Sequence, residues 1–482
     1  MALTIECNDS KFNLSTGVNL AYASSTNSTQ PNFRVKLEVV YTTMDSDATT
    51  RTTNTVSFTQ QLNQRSTAIF NLSEIYKSIL TPQITSANDG EDKIKQSIHN
   101  LPTDDGTNNY MYSWGILKDS IGSEAFQGVA NRMQLKFYEM YSATATGIPI
   151  VQNASLVTKD MNVMWGRGEE QEGVIVDFEG YKLTGAGKQL LTSNYKTPNN
   201  KIDIGIKEYH TMAMLNRCDI NASAFPYKIL VFFYDLNNNL LNSLSIRNQA
   251  SSGGAYYGTA SQGIDESFFL FFGSGIPNFE ALDMSNTNYT GTKPVNGQIS
   301  GIDIARYDIV VTSVSNTFVS RIYSFNIVTY CPKYDQTRLA YMNRFGGWEY
   351  ITLNKERNDE LTVKKQYLTK STISQVGATT NFTTGGNVAY PLSVAKQGQM
   401  ALSVEADTSF VVFTDELQED YQVKQIEDMM LSPQIHLIDD FGNAKALILQ
   451  TSNMKLKRLK NRGLYQYELK FSFAIPKYSK TF

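Results

Sequence analysis

Residues 32–41, NFRVKLEVVY, alternate strictly: Phe33, Val35, Leu37 and Val39 fall on one face, Arg34, Lys36 and Glu38 on the other. A side-chain period of two belongs to a strand, and an apolar face backed by a charged one belongs to a half-buried antiparallel sheet. The same pattern spreads outward. Residues 55–60 and 67–71 read as strands, and in 133–141 Met133, Leu135 and Phe137 share a face. Residues 72–80 read as a short helix, 86–109 as a polar insertion rich in Asn and Asp, and 166–173 (GRGEEQEG) as a loop. Residues 1–173 are therefore expected to form an N-terminal β-sandwich with an insertion near 86–109.

Beyond that loop the pattern resumes. In 201–206, Ile202, Ile204 and Ile206 alternate. Residues 227–234 and 240–246 flank Asp235–Asn239, whose composition is that of a hairpin turn. Residues 248–263 and 278–297 read as polar loops, 267–272 as an apolar strand, and 307–313 with 318–330 as a closing hairpin. Short strands between polar turns predict a second sandwich over 174–331, of immunoglobulin-like type. No internal sequence repeat is evident, although the two sandwiches are candidates for structural duplicates.

Residues 332–482 mix types and read as an α+β domain. Residues 414–431 carry the strongest helix signal: Thr414 as N-cap, Asp415 and Glu416 in the first turn, Val423, Ile426 and Met430 on one face, and Ser432-Pro433 as the stop. Strands follow at 435–438, 446–450 and 464–473. The fold class is thus mainly β: tandem immunoglobulin-like sandwiches plus a C-terminal α+β domain.

Composition agrees. Charged residues make up 18% of 482, while Tyr and Phe number 27 and 25. Aromatic and β-branched side chains fit pleated, half-buried surfaces. A net charge of −3 is not that of a generic nucleic-acid binder. Cys7, Cys218 and Cys331 are too few and too scattered for a disulfide framework or a zinc knuckle, and read as small buried hydrophobes. His99, His210 and His436 have no metal-ligand spacing. The first residues, MALTIECNDSKFNLS, show no secretory signal, and no apolar run reaches membrane-span length. Folding in a reducing cytosol, no membrane association and no cofactor or metal are the expectations.

Candidate chemistry is sparse. TGAGKQ (184–189) lacks both the first glycine and the terminal Ser or Thr of a phosphate loop. Asp235, Asn237 and Asn239 begin like a calcium loop, but Leu240 and Ile246 stand where Gly and Glu are required. His436 with Asp439 and Asp440 has no nucleophile in context, and Glu169, Glu170 and Glu172 read as a solvated loop. Lys455, Lys457, Arg458, Lys460 and Arg462 form a basic stretch interrupted by Leu456 and Leu459. It reads as the solvated side of a hairpin, with phosphate contact as the functional alternative.

The densest motif is 334–353, YDQTRLAYMNRFGGWEYITL. It reads as strand, glycine turn and aromatic strand, with Arg338, Leu339, Asn343, Gly346, Gly347 and Trp348 as the structural motif and Trp348 as core anchor. An exposed aromatic stacking on a sugar is the functional alternative. Cys331-x-Lys333-Tyr334 followed by Arg338–Glu349, together with QPNFRV (30–35), AIFNLSEI (68–75), QIEDMMLSPQIHL (425–437) and GLYQYEL (463–469), resembles structural proteins of tailed bacteriophages, notably crAss-like phages and their relatives. None of these islands is catalytic.

The resemblance implies a virion protein of the tail, made in the host bacterial cytoplasm. It implies a homo-oligomeric ring in a tail barrel, neck or baseplate, contacting other tail or neck proteins and fibres, and DNA only if it lines the channel. A tail-associated receptor or carbohydrate-binding adaptor is the alternative, and a polysaccharide depolymerase a third reading. The leading expectation is a structural protein rather than an enzyme.

Overall fold

The computed structural model describes residues 3–7, 12–15, 19–44, 51–80, 111–112, 116–117, 130–167, 178–192, 201–215, 226–247, 269–282, 284–285, 289–313, 315–329, 333–369, 373–375, 389–391, 399–414, 420–452, 466–475 and 478–481. The chain is mainly β, with two successive sandwiches and a C-terminal sheet carrying a helix.

In the first sandwich a three-stranded sheet (Leu3–Cys7, Leu20–Ser25, Thr67–Asn71) faces a five-stranded one. The larger sheet runs Phe12–Leu14, Ile150–Met164, Ala130–Tyr141, Arg34–Met44, Arg51–Gln61. The alternation read at 32–41 fills the space between them. Val35, Leu37 and Val39 are wholly buried beside Met133, Leu135 and Phe137, with Ala21, Ala23 and Phe70 opposite. Leu37 pairs with Phe137 and Val39 with Leu135, so the apolar faces of neighbouring strands coincide in register. The helix Leu72–Ile79 starts where the Asn71 side chain accepts from the Ser73 amide at 3.2 Å.

The second sandwich repeats this plan. Its six-stranded sheet runs Lys201–Ile204, Tyr323–Ile327, Arg306–Thr312, Lys228–Tyr234, Leu240–Arg247, Tyr289–Gly291. Opposite it lie Thr211–Leu215 and Phe269–Gly273. In both modules the first strand of the larger sheet pairs in parallel with the last. In both, the last then pairs with the last but one, which pairs with a hairpin. In both, a strand of the smaller sheet leads into a helix, Leu72–Ile79 in one and Ile276–Glu280 in the other. The modules thus share one topology without a repeated sequence, because topology needs only alternation and turns.

The C-terminal sheet is antiparallel, in the order Trp348–Leu353, Thr337–Met342, Ile435–Ile438, Ala444–Leu449, Glu468–Phe473, Gln399–Phe413, Arg357–Thr369. Tyr478–Thr481 adds to Gln399–Phe413. The helix Asp420–Met430 packs Ile426 and Met429 against Leu339, Tyr341, Phe410 and Phe471.

Four readings need correction. Residues 415–419 lie outside the described residues; among those described the helix is Asp420–Met430, and Leu431 lies beyond its end in a turn. Thr414 does not cap it: its amide donates to the Tyr467 carbonyl and its hydroxyl accepts from the Tyr467 amide, both at 2.9 Å, so it closes the strand Gln399–Phe413. Residues 278–297 are no simple loop, since the helix Ile276–Glu280 and the strand Tyr289–Gly291 lie in or across them. Cys7 ends a strand half-buried rather than buried, and Cys218 and Cys331 lie outside the described residues. The insertion 86–109 and the loop 248–263 also lie outside them.

Candidate functional site: the joint between three modules

The motif at 334–353 forms the hairpin of Thr337–Met342 and Trp348–Leu353. All six residues of the first strand are buried, which a strand achieves only when both of its faces are covered. Leu339 and Tyr341 point into the core under the helix. Ala340, Met342, Trp348 and Tyr350 point the other way, into a cluster shared with Leu14 and Met164 of the first sandwich and Leu191, Ala213, Leu215 and Phe271 of the second. One hairpin therefore joins all three modules.

Polar contacts fix its geometry. The Arg338 guanidinium donates to Glu208 Oε2 (2.6 Å), Thr352 Oγ1 (2.8 Å) and the Tyr209 carbonyl (2.7 Å). Glu208 also accepts from the Thr352 hydroxyl (2.7 Å) and the Gly205 amide (2.8 Å). Both charges are buried and each is held by several hydrogen bonds, the condition under which a buried pair is tolerated. The guanidinium also lies 5.0 Å from the centre of the Tyr350 ring. His210 packs 4.6 Å from the same ring, with Nδ1 2.6 Å from the Ser274 hydroxyl. Burial, helped by the nearby Arg338 charge, holds the His210 pKa well below the usual imidazole value.

The turn is locked by Asn343. Its Oδ1 accepts from the amides of Phe345 and Gly347, both at 2.9 Å, and its Nδ2 donates to the Leu191 carbonyl at 3.1 Å. Gly346 adopts φ +79°, in the left-handed region. Gly347 is needed for a different reason: a Cβ there would stand 2.7 Å from the Leu191 carbonyl oxygen. Trp348 stacks on His436 at 4.9 Å, and burial lowers the His436 pKa to about 4. Phe345 packs against Tyr181 at 4.9 Å. On the other flank, the Arg167 amide donates to the Arg344 carbonyl (2.9 Å), and the Arg167 side chain meets Asp428 at 3.3 Å.

The structure thus brings together Arg338, Asn343, Gly346, Gly347 and Trp348 around the joint, while Leu339 faces the helix. Trp348 is 2% exposed, so it offers no face to a sugar. Sequence reasoning missed Glu208, Leu191 and Arg167. Each becomes visible only when segments more than a hundred residues apart meet. The basic stretch Lys455, Lys457, Arg458, Lys460, Arg462 and the acids Glu169, Glu170, Glu172 lie outside the described residues.

Other candidates resolve as turns. Asp235 Oδ1 accepts from the amides of Asn237 and Asn239 at 2.8 Å. Asp439 does the same with Phe441 (3.0 Å) and Asn443 (2.8 Å), so its carboxylate serves its own turn. In 184–189, Lys188 Nζ donates to the Glu179 carbonyl at 2.6 Å. Among the described residues no group of three His, Cys, Asp or Glu is placed to hold a metal ion, and no helix is long and apolar enough to cross a membrane.

No family model and no curated protein matches the chain. Among solved structures, it is similar to a mutant Salmonella alpha-2-macroglobulin at 8% identity, with 97% of this chain and 29% of that one covered and a TM-score of 0.15. It is similar to Escherichia coli alpha-2-macroglobulin at 10% identity, with 100% and 34% covered and a TM-score of 0.16. The chain spans about a third of the length of these macroglobulins or less, and likeness at this level carries no argument about fold or function.

Proposed function

We propose that the chain is a structural subunit of a bacteriophage tail, a ring-forming component of the tail barrel, neck or baseplate. The observation that carries this reading is the joint. The densest motif of the sequence holds three β modules in one arrangement through a buried apolar cluster and the hydrogen-bonded Arg338–Glu208 pair, and it leaves no open cleft at Trp348, Asn343 or Arg338. A protein whose task is a fixed shape and its outer contacts needs this; one that turns over a substrate needs an accessible site. The resemblance of the same motif to tailed-phage structural proteins supports the assignment. The shared strand order of the two sandwiches supports reading both as immunoglobulin-like.

The receptor or carbohydrate-adaptor alternative calls for exposed aromatics on the second sandwich. Among the described residues of that sandwich, Phe318 at 37% is the one well-exposed aromatic. The test is mass spectrometry of purified particles, counting this chain against the portal protein. A copy number near a multiple of about six or twelve is expected of a symmetric ring. Absence from the particle overturns the proposal.

A further inference from the structure

The strand Arg357–Thr369 ends the C-terminal sheet, and among the described residues no strand pairs with its outer edge. Thirteen residues of strand extend about 44 Å. It pairs along its whole length with Gln399–Phe413, and every residue from 361 to 368 is exposed. Leu361, Val363, Tyr367 and Leu368 are 54%, 46%, 59% and 48% exposed. A long, exposed edge strand is a template for another strand. Lysines are the usual guard on such an edge, and Lys364 and Lys365 make no ion pair within 4.0 Å among the described residues.

The sequence of the edge says which strand suits it. It reads RNDELTVKKQYLT, with two acids before its centre and two bases after it. When it is laid antiparallel on a second copy of itself, with Thr362 opposite Thr362, Asp359 faces Lys365 and Glu360 faces Lys364. Leu361 then faces Val363, Asn358 faces Gln366, and Arg357 faces Tyr367. Each pair shares one side of the extended sheet, because the two positions have the same parity. In this register both acids meet lysines, Leu361 meets Val363 and Asn358 meets Gln366.

We propose that this edge is a homotypic docking site, pairing two copies of the chain antiparallel about Thr362. The lysines that repel a neutral strand are answered by the acids of the second copy. Asp359 and Glu360 hold Arg357 (2.8 Å) and Lys470 (3.5 Å) within their own chain, exposed contacts that cost little to exchange. The contact is isologous and closes in a pair, so it is separate from the heterologous contact that a ring requires.

The test uses the full chain in two charge-reversed forms, Asp359→Lys with Glu360→Lys, and Lys364→Glu with Lys365→Glu. Each form's edge repels its own copy. Sedimentation velocity is expected to show concentration-dependent pairing of the wild type, at least tenfold weaker pairing of each variant alone, and pairing restored on mixing the two. Circular dichroism checks that both variants fold. As a second readout, Thr362→Cys sits on the two-fold axis, where opposed Cα atoms lie roughly 4.5–5.5 Å apart, within disulfide reach. It is expected to cross-link on oxidation above the wild-type background, whereas Asn358→Cys is not. A wild type that stays monomeric, an assembly indifferent to both reversals, or equal cross-linking at 358 and 362 overturns the proposal.

Discussion

Two strands of the C-terminal sheet, fourteen residues apart in sequence, have opposite fates. Thr337–Met342 is buried at every residue, and Arg357–Thr369 is exposed at every residue from 361 to 368. Both are antiparallel strands of one sheet. The first is covered on one face by the helix Asp420–Met430 and on the other by both sandwiches; the second, from 361 to 368, is covered on neither among the described residues. The contrast separates the part of the chain that fixes shape from the part that is offered outward, and it sets the scale of substitution effects in each.

The largest effect is expected at Arg338. Arg338→Ala strands the Glu208 carboxylate in the buried joint, and loss of about 3–5 kcal/mol is expected in urea unfolding. Arg338→Lys is expected to recover little, because an ammonium cannot reproduce the fork that reaches Glu208, Thr352 and the Tyr209 carbonyl together. Equal stability of Arg338→Ala and wild type would show that the joint does not hold the modules.

Trp348→Ala comes next, at about 3–5 kcal/mol, since it empties the space over His436 and beside Tyr350. Its counterpart on the edge strand Arg357–Thr369, Tyr367→Ala, is expected to stay within about 0.5 kcal/mol under conditions where the chain is monomeric. Matching losses at the two positions would erase the comparison.

Acid sharpens it further. His436 and His210 have pKa values depressed by burial, His436 to about 4. The unfolded chain takes up their protons below about 6.5 while the folded chain does not, so their contribution is complete above that pH and is lost as pH falls. For His436 the loss runs from about 6.5 to about 4, at no more than roughly 1.4 kcal/mol per pH unit. His436→Gln is expected to flatten the slope of unfolding free energy against pH over that window. An unchanged slope would contradict burial of this imidazole.

Glycine gives the smallest paired test. Gly347→Ala drives a Cβ toward the Leu191 carbonyl and is expected to cost about 1–3 kcal/mol. At Gly185, where an added Cβ meets nothing within 4 Å, alanine is expected to be neutral or to stabilise by up to about 1 kcal/mol. Thermal unfolding of the two variants reads the difference.

Where one strand's face is buried and the other solvated, the sequence was legible. Phe33, Val35, Leu37 and Val39 were identifiable as core from alternation alone, as were Met133, Leu135 and Phe137. The hairpin turn at Asp235 was legible because its chemistry is local. The joint was only half legible. Arg338, Asn343, Gly346, Gly347 and Trp348 stand out as a dense motif, but Glu208 lies 130 residues from its partner Arg338 and Asp428 lies 261 from Arg167, and no local pattern connects them. Thr414 was misread as a cap because Thr414, Asp415 and Glu416 form an acceptable cap sequence. The pairing of Thr414 with Tyr467 across the sheet overrides it. The edge strand Arg357–Thr369 escaped notice because its alternation is weak: Leu361, Val363 and Tyr367 share a face, but Lys365 interrupts them and Leu368 falls on the other.

Hydrogen exchange of the intact, dilute chain tests the central claim most directly. Amides of Thr337–Met342 are expected to exchange only through global unfolding, while those of Arg357–Thr369 that face away from Gln399–Phe413 exchange at the rate of open backbone. Exchange of the two strands at the same rate would contradict a division into a buried joint and an outward edge.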